Sequence, residues 1–309
     1  MQLVAFLAAA AAGAQPALPP ERQAIVVTAP PPPGERDARE FVQDIMERSY
    51  DQVARYHAAV CPAVVGLEPN AARVVRDRIL ETVRGVGGEA DPNPRCAANL
   101  LLVVAEDGRE FVSDLHRNMP AWLTGLDVVE VTRIVRQPTP ARAWSVVTLR
   151  NEDGQTAEAT AHAPKFRMMR GAPWSVGGRF AEDAPTMRVR SASLFKPSTR
   201  ADIEGSVIVV DRSAALGITL AQLSDYAAMR GLARTTAPKN SAVRTILSLF
   251  EPGAQREPEL TRSDILYLQA LYRSAGMESA VQERGRLSRA VGERDRARRQ
   301  GAPAPQPQP

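Results

Sequence analysis

A chain of 309 residues, 44% hydrophobic and 24% charged, has the material for one large domain or two small ones with an ample core. Aromatics make up 5%, so that core must be built mostly from Val, Leu, Ile and Ala. The net charge of +4 is uneven: residues 284–299 hold seven Arg against Glu293 and Asp295. The rest is near neutral, and with no aromatics among those arginines the composition argues against specific nucleic-acid recognition.

In chain order, the apolar run Leu3–Ala12 leads into Ala12-Gly13-Ala14 and then Gln15-Pro16. This is the outline of a signal peptide over residues 1–14, although no Lys or Arg precedes the run. It predicts export, to the periplasm or beyond. The run is too short to span a bilayer, and no later stretch approaches ~20 apolar residues, so the mature chain is expected to carry no transmembrane segment. Residues 15–37 are Pro-rich and aperiodic, a linker. A single domain is expected over 38–283, followed by a basic, Pro-rich, disordered tail over 284–309.

Within the domain, Phe41, Val42, Ile45 and Met46 predict a helix, with an extended stretch reaching Val53 and Tyr56. Cys61 and Cys96 are an even pair. In an oxidising compartment they predict one disulfide, and otherwise two buried thiols. Their spacing matches no zinc pattern. Asn70 is a candidate cap for a helix whose Ala71, Val75 and Ile79 share a face with Val74 and Val83, and which Gly87-Gly88 ends. "NLLLVVA" (99–105) predicts a buried strand, and "REFVSDLHRNM" (109–119) a short amphipathic helix. "DVVEVTRIV" and "RAWSVVTLRN" predict two strands of a hairpin joined by "RQPTPA". One or two short strands are expected near Met168 and Trp174, and a buried strand at "SVIVVD" (206–211). Two closing helices carry capping boxes, Thr219 with Gln222 and Thr261 with Asp264. The sum is an α/β (α+β) fold: a mixed twisted sheet flanked by helices.

The closing third carries three motifs in order: "SDYAAMRGLAR", then "TIL" within "RTILSLF", then "LTRSDILYLQALY". Together they resemble the catalytic half of a matrixin-type metzincin protease, and a family of exported proteobacterial proteins with the same outline. The metzincin pattern is H-E-x-x-H-x-x-G-x-x-H, a Met-turn, and a helix near L-x-x-D-D-I-x-x-I-Q-x-L-Y. The strand, helix and strand upstream agree with the same order. The resemblance puts the three metal-binding histidines on Ser224, Ala228 and Arg234, and the general-base glutamate on Asp225. The glycine where such a helix ends falls on Gly231, and the Met of the turn on Leu247. None of these side chains suits zinc. Ser224 is a poor ligand, Ala228 has no donor atom, and Arg234 is a permanent cation. Without a metal to acidify a water, an acid at position 225 has no hydroxide to generate. The resemblance thus implies a degenerate site with no metal and no cofactor, in a cleft that exposes Asp225 and Arg234.

No other constellation assembles from the sequence. His57, His116 and His162 form no H-x-x-x-H pair, and the nucleophile-elbow, P-loop and dinucleotide motifs are missing. Glu106-Asp107 and Glu182-Asp183 are turn neighbours rather than carboxylates facing across a cleft. The leading expectation is an exported, non-enzymatic envelope protein that binds a peptide or an envelope component. The alternatives are a metal-independent hydrolase, with His57 or His116 meeting Asp225 in space, and a structural envelope protein held through its Pro-rich arms.

Overall fold

A computed structural model describes residues 34–301 except 119–122, 124–125, 157–196 and 240–241. The signal segment, the linker up to residue 33, the strands expected near Met168 and Trp174, His162 and Glu182-Asp183 lie outside the described residues, while residues 35–37, read as the end of the linker, instead open the first helix. So does the end of the chain from residue 302. The chain folds as α1 (Glu35–Ile45), β1 (Pro62–Val65), α2 (Pro69–Val86), β2 (Leu100–Ala105), α3 (Gly108–Asn118), α4 (Val128–Arg136), β3 (Ala141–Asn151) and β4 (Thr199–Asp211). After these come α5 (Arg212–Ala215), α6 (Leu220–Leu232), a 3-10 turn (Ile246–Ser248), α7 (Arg262–Arg273) and α8 (Ala280–Gly301).

The four strands form one sheet in the order β1-β2-β4-β3. β1, β2 and β4 run parallel, and β3 pairs antiparallel with β4, from Ala141 opposite Val210 to Asn151 opposite Thr199. Helices cover both faces, which explains the unbroken apolar run of β2. Leu100, Leu102 and Val104, with Ile208 and Val210 of β4, join the larger core with residues of α1, α2, α6, α7 and α8. Their alternates Leu101, Val103, Val207 and Val209 join the smaller core with Val112 and Leu115 of α3 and Ile134 of α4. The α/β class read from the sequence is therefore observed, as a mixed sheet between helical layers. Among the described residues no helix is long and apolar enough to cross a membrane.

Four local expectations need correction. First, residues 128–136 form a helix, so β3 pairs with β4 rather than with a preceding strand. The Asp127 carboxylate accepts the Glu130 N–H at 2.7 Å and starts the helix. Ile134 is buried and Val131 and Val135 pack on the same core, a helical spacing that outweighs the β-branched composition. Val128 and Val129 stay 82% and 77% exposed. Second, the cap position of α2 is Glu68 with Pro69 first in the helix, and Asn70 lies one residue further in, accepting from Arg73 at 3.1 Å. Its stop is as expected: Gly87 takes the left-handed conformation at φ +89°. Third, the last strand begins at Thr199, seven residues before "SVIVVD". Fourth, the fold does not close at residue 283. α8 runs on to Gly301, and its Leu287 and Val291 are buried in the larger core with Phe41 and Val42 of α1.

Cys61 and Cys96 are bonded. The bridge ties β1 to the turn before β2, where the Asn99 carboxamide accepts the Cys61 N–H at 2.8 Å.

Candidate functional site

α6 is the only element on which the sequence assembled a site, and the structure buries it almost whole, from Gln222 to Leu232. Its start is the expected reciprocal cap: the Thr219 hydroxyl accepts the Gln222 N–H at 3.1 Å, and the Gln222 carboxamide accepts the Thr219 N–H at 3.0 Å. The helix then lies against the sheet at Gly231. A Cβ built there would come within 2.8 Å of Leu100 Cδ1 and 3.2 Å of Ile208 Cδ1. The helix continues one residue past it to Leu232. Gly231 is thus required by the close approach of helix and sheet rather than by a turn. The Ser206 hydroxyl of β4 donates to the Gly231 carbonyl at 2.8 Å and takes a hydrogen bond from Ser145 of β3 at 2.9 Å. This short polar ladder sets the height of α6 over the strands.

Each position singled out by the sequence has a structural partner or a packed surrounding. The Ser224 hydroxyl donates to the Leu220 carbonyl one turn back at 2.6 Å. Asp225 is 1% exposed. Its two oxygens face Arg78 of α2, accepting from Nε at 2.7 Å and from an Nη at 2.8 Å, and the Leu260 N–H adds a third bond at 2.8 Å. The bidentate guanidinium–carboxylate fork is among the stronger side-chain pairings and adds geometric specificity. Arg78 is pushed above its ordinary range by the hydrogen bond to Asp225. Ala228 is fully buried in the larger core. Arg234 is also interior. It donates to the Ser49 hydroxyl and the Glu130 carboxylate, and Glu47 lies 3.6 Å away. Its carbonyl accepts the Glu47 N–H at 3.0 Å, so it joins the segment after α1 to α4.

The expected cleft is therefore corrected. Asp225 and Arg234 are not exposed side by side in it. They sit in two networks with no shared partner among the described residues, one bracing α2 against the start of α7, the other joining α1 to α4. A carboxylate and a guanidinium at full burial must be paired, and pairing removes them from a solvent-facing cleft.

The turn carrying Leu247 is held by Asp264, which sequence reasoning took only as a cap. Its carboxylate accepts from the Thr245 hydroxyl at 2.5 Å, the Ile246 N–H at 2.9 Å and the Thr261 N–H and hydroxyl at 2.9 and 2.8 Å. Burial raises the Asp264 pKa, and these bonds oppose the rise.

The two described histidines, His57 and His116, do not meet Asp225. His57 lies 3.5 Å from Asp202, and its Nε2 has no hydrogen-bond partner among the described residues. Burial, reinforced by the nearby Arg55 and Arg200, pushes its pKa down to about 3. His116 is exposed on α3. Asp225 is satisfied by Arg78 and Leu260, so neither histidine forms the pair that the hydrolase alternative requires. Among the described residues no three His, Cys, Asp or Glu side chains gather as a metal-binding group.

Sequence reasoning missed Arg78, Glu47, Ser49 and Glu130, the partners that define both networks. One signal was present: an acid in the middle of "LAQLSDYAAMRGL", a helix apolar on nearly every side, has to be buried and so has to be paired. The geometry defines a mixed α/β domain with a buried central helix braced by ion pairs. No protein-family model, curated protein or solved structure matches the chain.

Proposed function

We propose that this is an exported envelope protein whose metzincin-like outline serves as a non-catalytic scaffold, with α6 acting as a strut where a protease would hold zinc. The observation that carries the reading is the occupation of the would-be catalytic acid position. Asp225 is committed on both oxygens to Arg78 and Leu260, and a carboxylate so held is no base for an attacking water. Support for the outline comes from element order: β4, α6, the turn over Ile246–Ser248, and α7 entered through the Thr261–Asp264 cap. Support for export comes from the apolar leader and is compatible with the Cys61–Cys96 bond. A peptide or envelope component that binds the domain would do so away from Asp225 and Arg234.

The test is zinc stoichiometry and peptidase activity on the same sample, purified without chelator. The expected result is neither stoichiometric zinc nor chelator-sensitive cleavage of an unstructured protein substrate. One zinc per chain, removed by chelator together with a peptidase activity, overturns the proposal.

A further inference from the structure

A second region, distant in sequence from α6, has the charge and shape of a binding site. α1 and α8 enclose a groove of about 480 Å³. Its shape follows from α8. Gly285, Ser288 and Gly292 lie at helical spacing on one side of that helix. At Gly292 the two helices close up, since a Cβ there would sit 3.5 Å from the Ala38 Cβ and 3.6 Å from the Glu35 Cα. At Gly285 they do not, and a Cβ would meet only Arg289 Nη1, at 3.8 Å. Leu287 and Val291 anchor α8 in the core, so the opening belongs to a fixed helix pair.

The groove is lined by Arg39 of α1 and by Arg284 and Arg289 of α8, with Glu35 also on its wall. Other arginines of the same two helices have acids. Arg36 pairs with Glu40, and Arg286 with Glu278 and Glu283. Arg39, Arg284 and Arg289 form no ion pair or hydrogen bond through their side chains among the described residues. Three arginines lining one open volume place like charges around it that an anion would join, and one carboxylate on the wall leaves a net charge of about +2 there. A phosphate group carries about −1.5 to −2 as a monoester and presents the oxygen geometry that the guanidinium fork matches.

We propose that the α1–α8 groove binds a phosphate group through Arg39, Arg284 and Arg289. The phosphate belongs either to a lipid headgroup at a membrane surface or to a soluble phosphorylated molecule. The site is independent of the reading of α6.

The experiment uses the full chain at fixed ionic strength with two probes: inorganic pyrophosphate by calorimetry, and phosphatidylglycerol vesicles against phosphatidylcholine vesicles by co-sedimentation. Three variants are compared with the natural sequence. Arg39→Gln/Arg284→Gln/Arg289→Gln removes the groove charges. Gly285→Leu fills the groove without changing charge. Arg294→Gln/Arg296→Gln/Arg298→Gln removes the same charge from the end of the chain and serves as the control. The groove-charge and Gly285→Leu variants are expected to bind at least about tenfold more weakly, and the control to bind like the natural chain. Saturable binding of pyrophosphate alone identifies a soluble ligand, binding of vesicles alone a headgroup, and both the shared phosphate chemistry. The proposal is overturned if the natural chain binds neither probe, if the control variant loses as much as the groove-charge variant, or if Gly285→Leu binds undiminished.

Discussion

Removing Arg78 should cost more stability than removing its partner Asp225. The Asp225 carboxylate is 1% exposed and receives three hydrogen bonds, two of them from Arg78. Arg78→Ala leaves that charge buried with only the Leu260 N–H, a loss of about 3–5 kcal/mol, the usual cost of stranding one member of a buried pair. Asp225→Ala leaves a guanidinium whose side chain is 33% exposed and lies 3.4 Å from Glu259, so it can turn to water and to that acid. What remains is the orphaned Leu260 N–H and the lost bonds, about 1–3 kcal/mol. In the double variant the stranded charge is gone, and truncating Arg78 then removes only its packing. The cycle should show a coupling of about 2–3 kcal/mol. Urea unfolding at pH 7 followed by far-ultraviolet circular dichroism measures all four proteins. A loss under about 1 kcal/mol for Arg78→Ala, or a larger loss for Asp225→Ala, refutes the bracing role.

Three further outcomes follow from the same structure. Replacing Cys61 and Cys96 with Ala should destabilise the protein by about 3–4 kcal/mol on the chain-entropy model for the 35-residue separation. Thiol titration of the unfolded natural chain should find no free cysteine. His57 is held neutral, so between its unfolded value near 6.5 and its folded value of about 3 the unfolded chain binds the extra proton. Stability should therefore fall as pH is lowered from 6.5 to 5, with a slope that steepens toward about 1.4 kcal/mol per unit at the lower end, and His57→Gln should flatten that slope in urea titrations at each pH. Two glycine substitutions should have opposite signs in thermal unfolding. Gly231→Ala crowds Leu100 and Ile208 and should lower stability by about 1 kcal/mol even after its gain in helix propensity, while Gly285→Ala makes only an ordinary contact with the Arg289 side chain and should raise it by about 0.5–1 kcal/mol.

How far the sequence reached depended on the distance over which each feature is specified. β2, the caps of α6 and α7 and the cysteine pair depend on residues close in the chain or on an unbroken apolar run, and all of them were legible. α4 was not, because Val128, Val129 and Val131 mimic a strand. Only the Asp127 cap and the packing of Ile134 decide for a helix. α8 carried its own signal in Leu287 and Val291, four residues apart, but seven arginines in the same stretch suggested a solvated tail. The networks around Asp225 and Arg234 were beyond reach for another reason: their partners lie 147, 185 and 104 residues away, and no local pattern specifies such pairs.

The arrangement around α6 also bears on why a zinc-binding helix and this helix are mutually exclusive solutions. A catalytic metal supplies positive charge at a point and demands neutral or anionic donors around it, with one position left open to water. Here the positive charge comes from guanidinium groups, Arg78 near the start of α6 and Arg234 just past its end. Each faces protein carboxylates, Asp225 in the first case and Glu47 and Glu130 in the second. A guanidinium brings directional donors that need no open position, and the bonds it makes occupy the lone pairs that a general base would have to offer a water. Placing histidines at Ser224, Ala228 and Arg234 would therefore not by itself create a metal centre. It would remove the cation that holds Glu47 and Glu130 together and force an imidazole into the packed space of Ala228, while Asp225 stayed bound to Arg78. The ion pairs at the two ends of α6 are what its burial requires, and they use the groups that a catalytic site would have needed free.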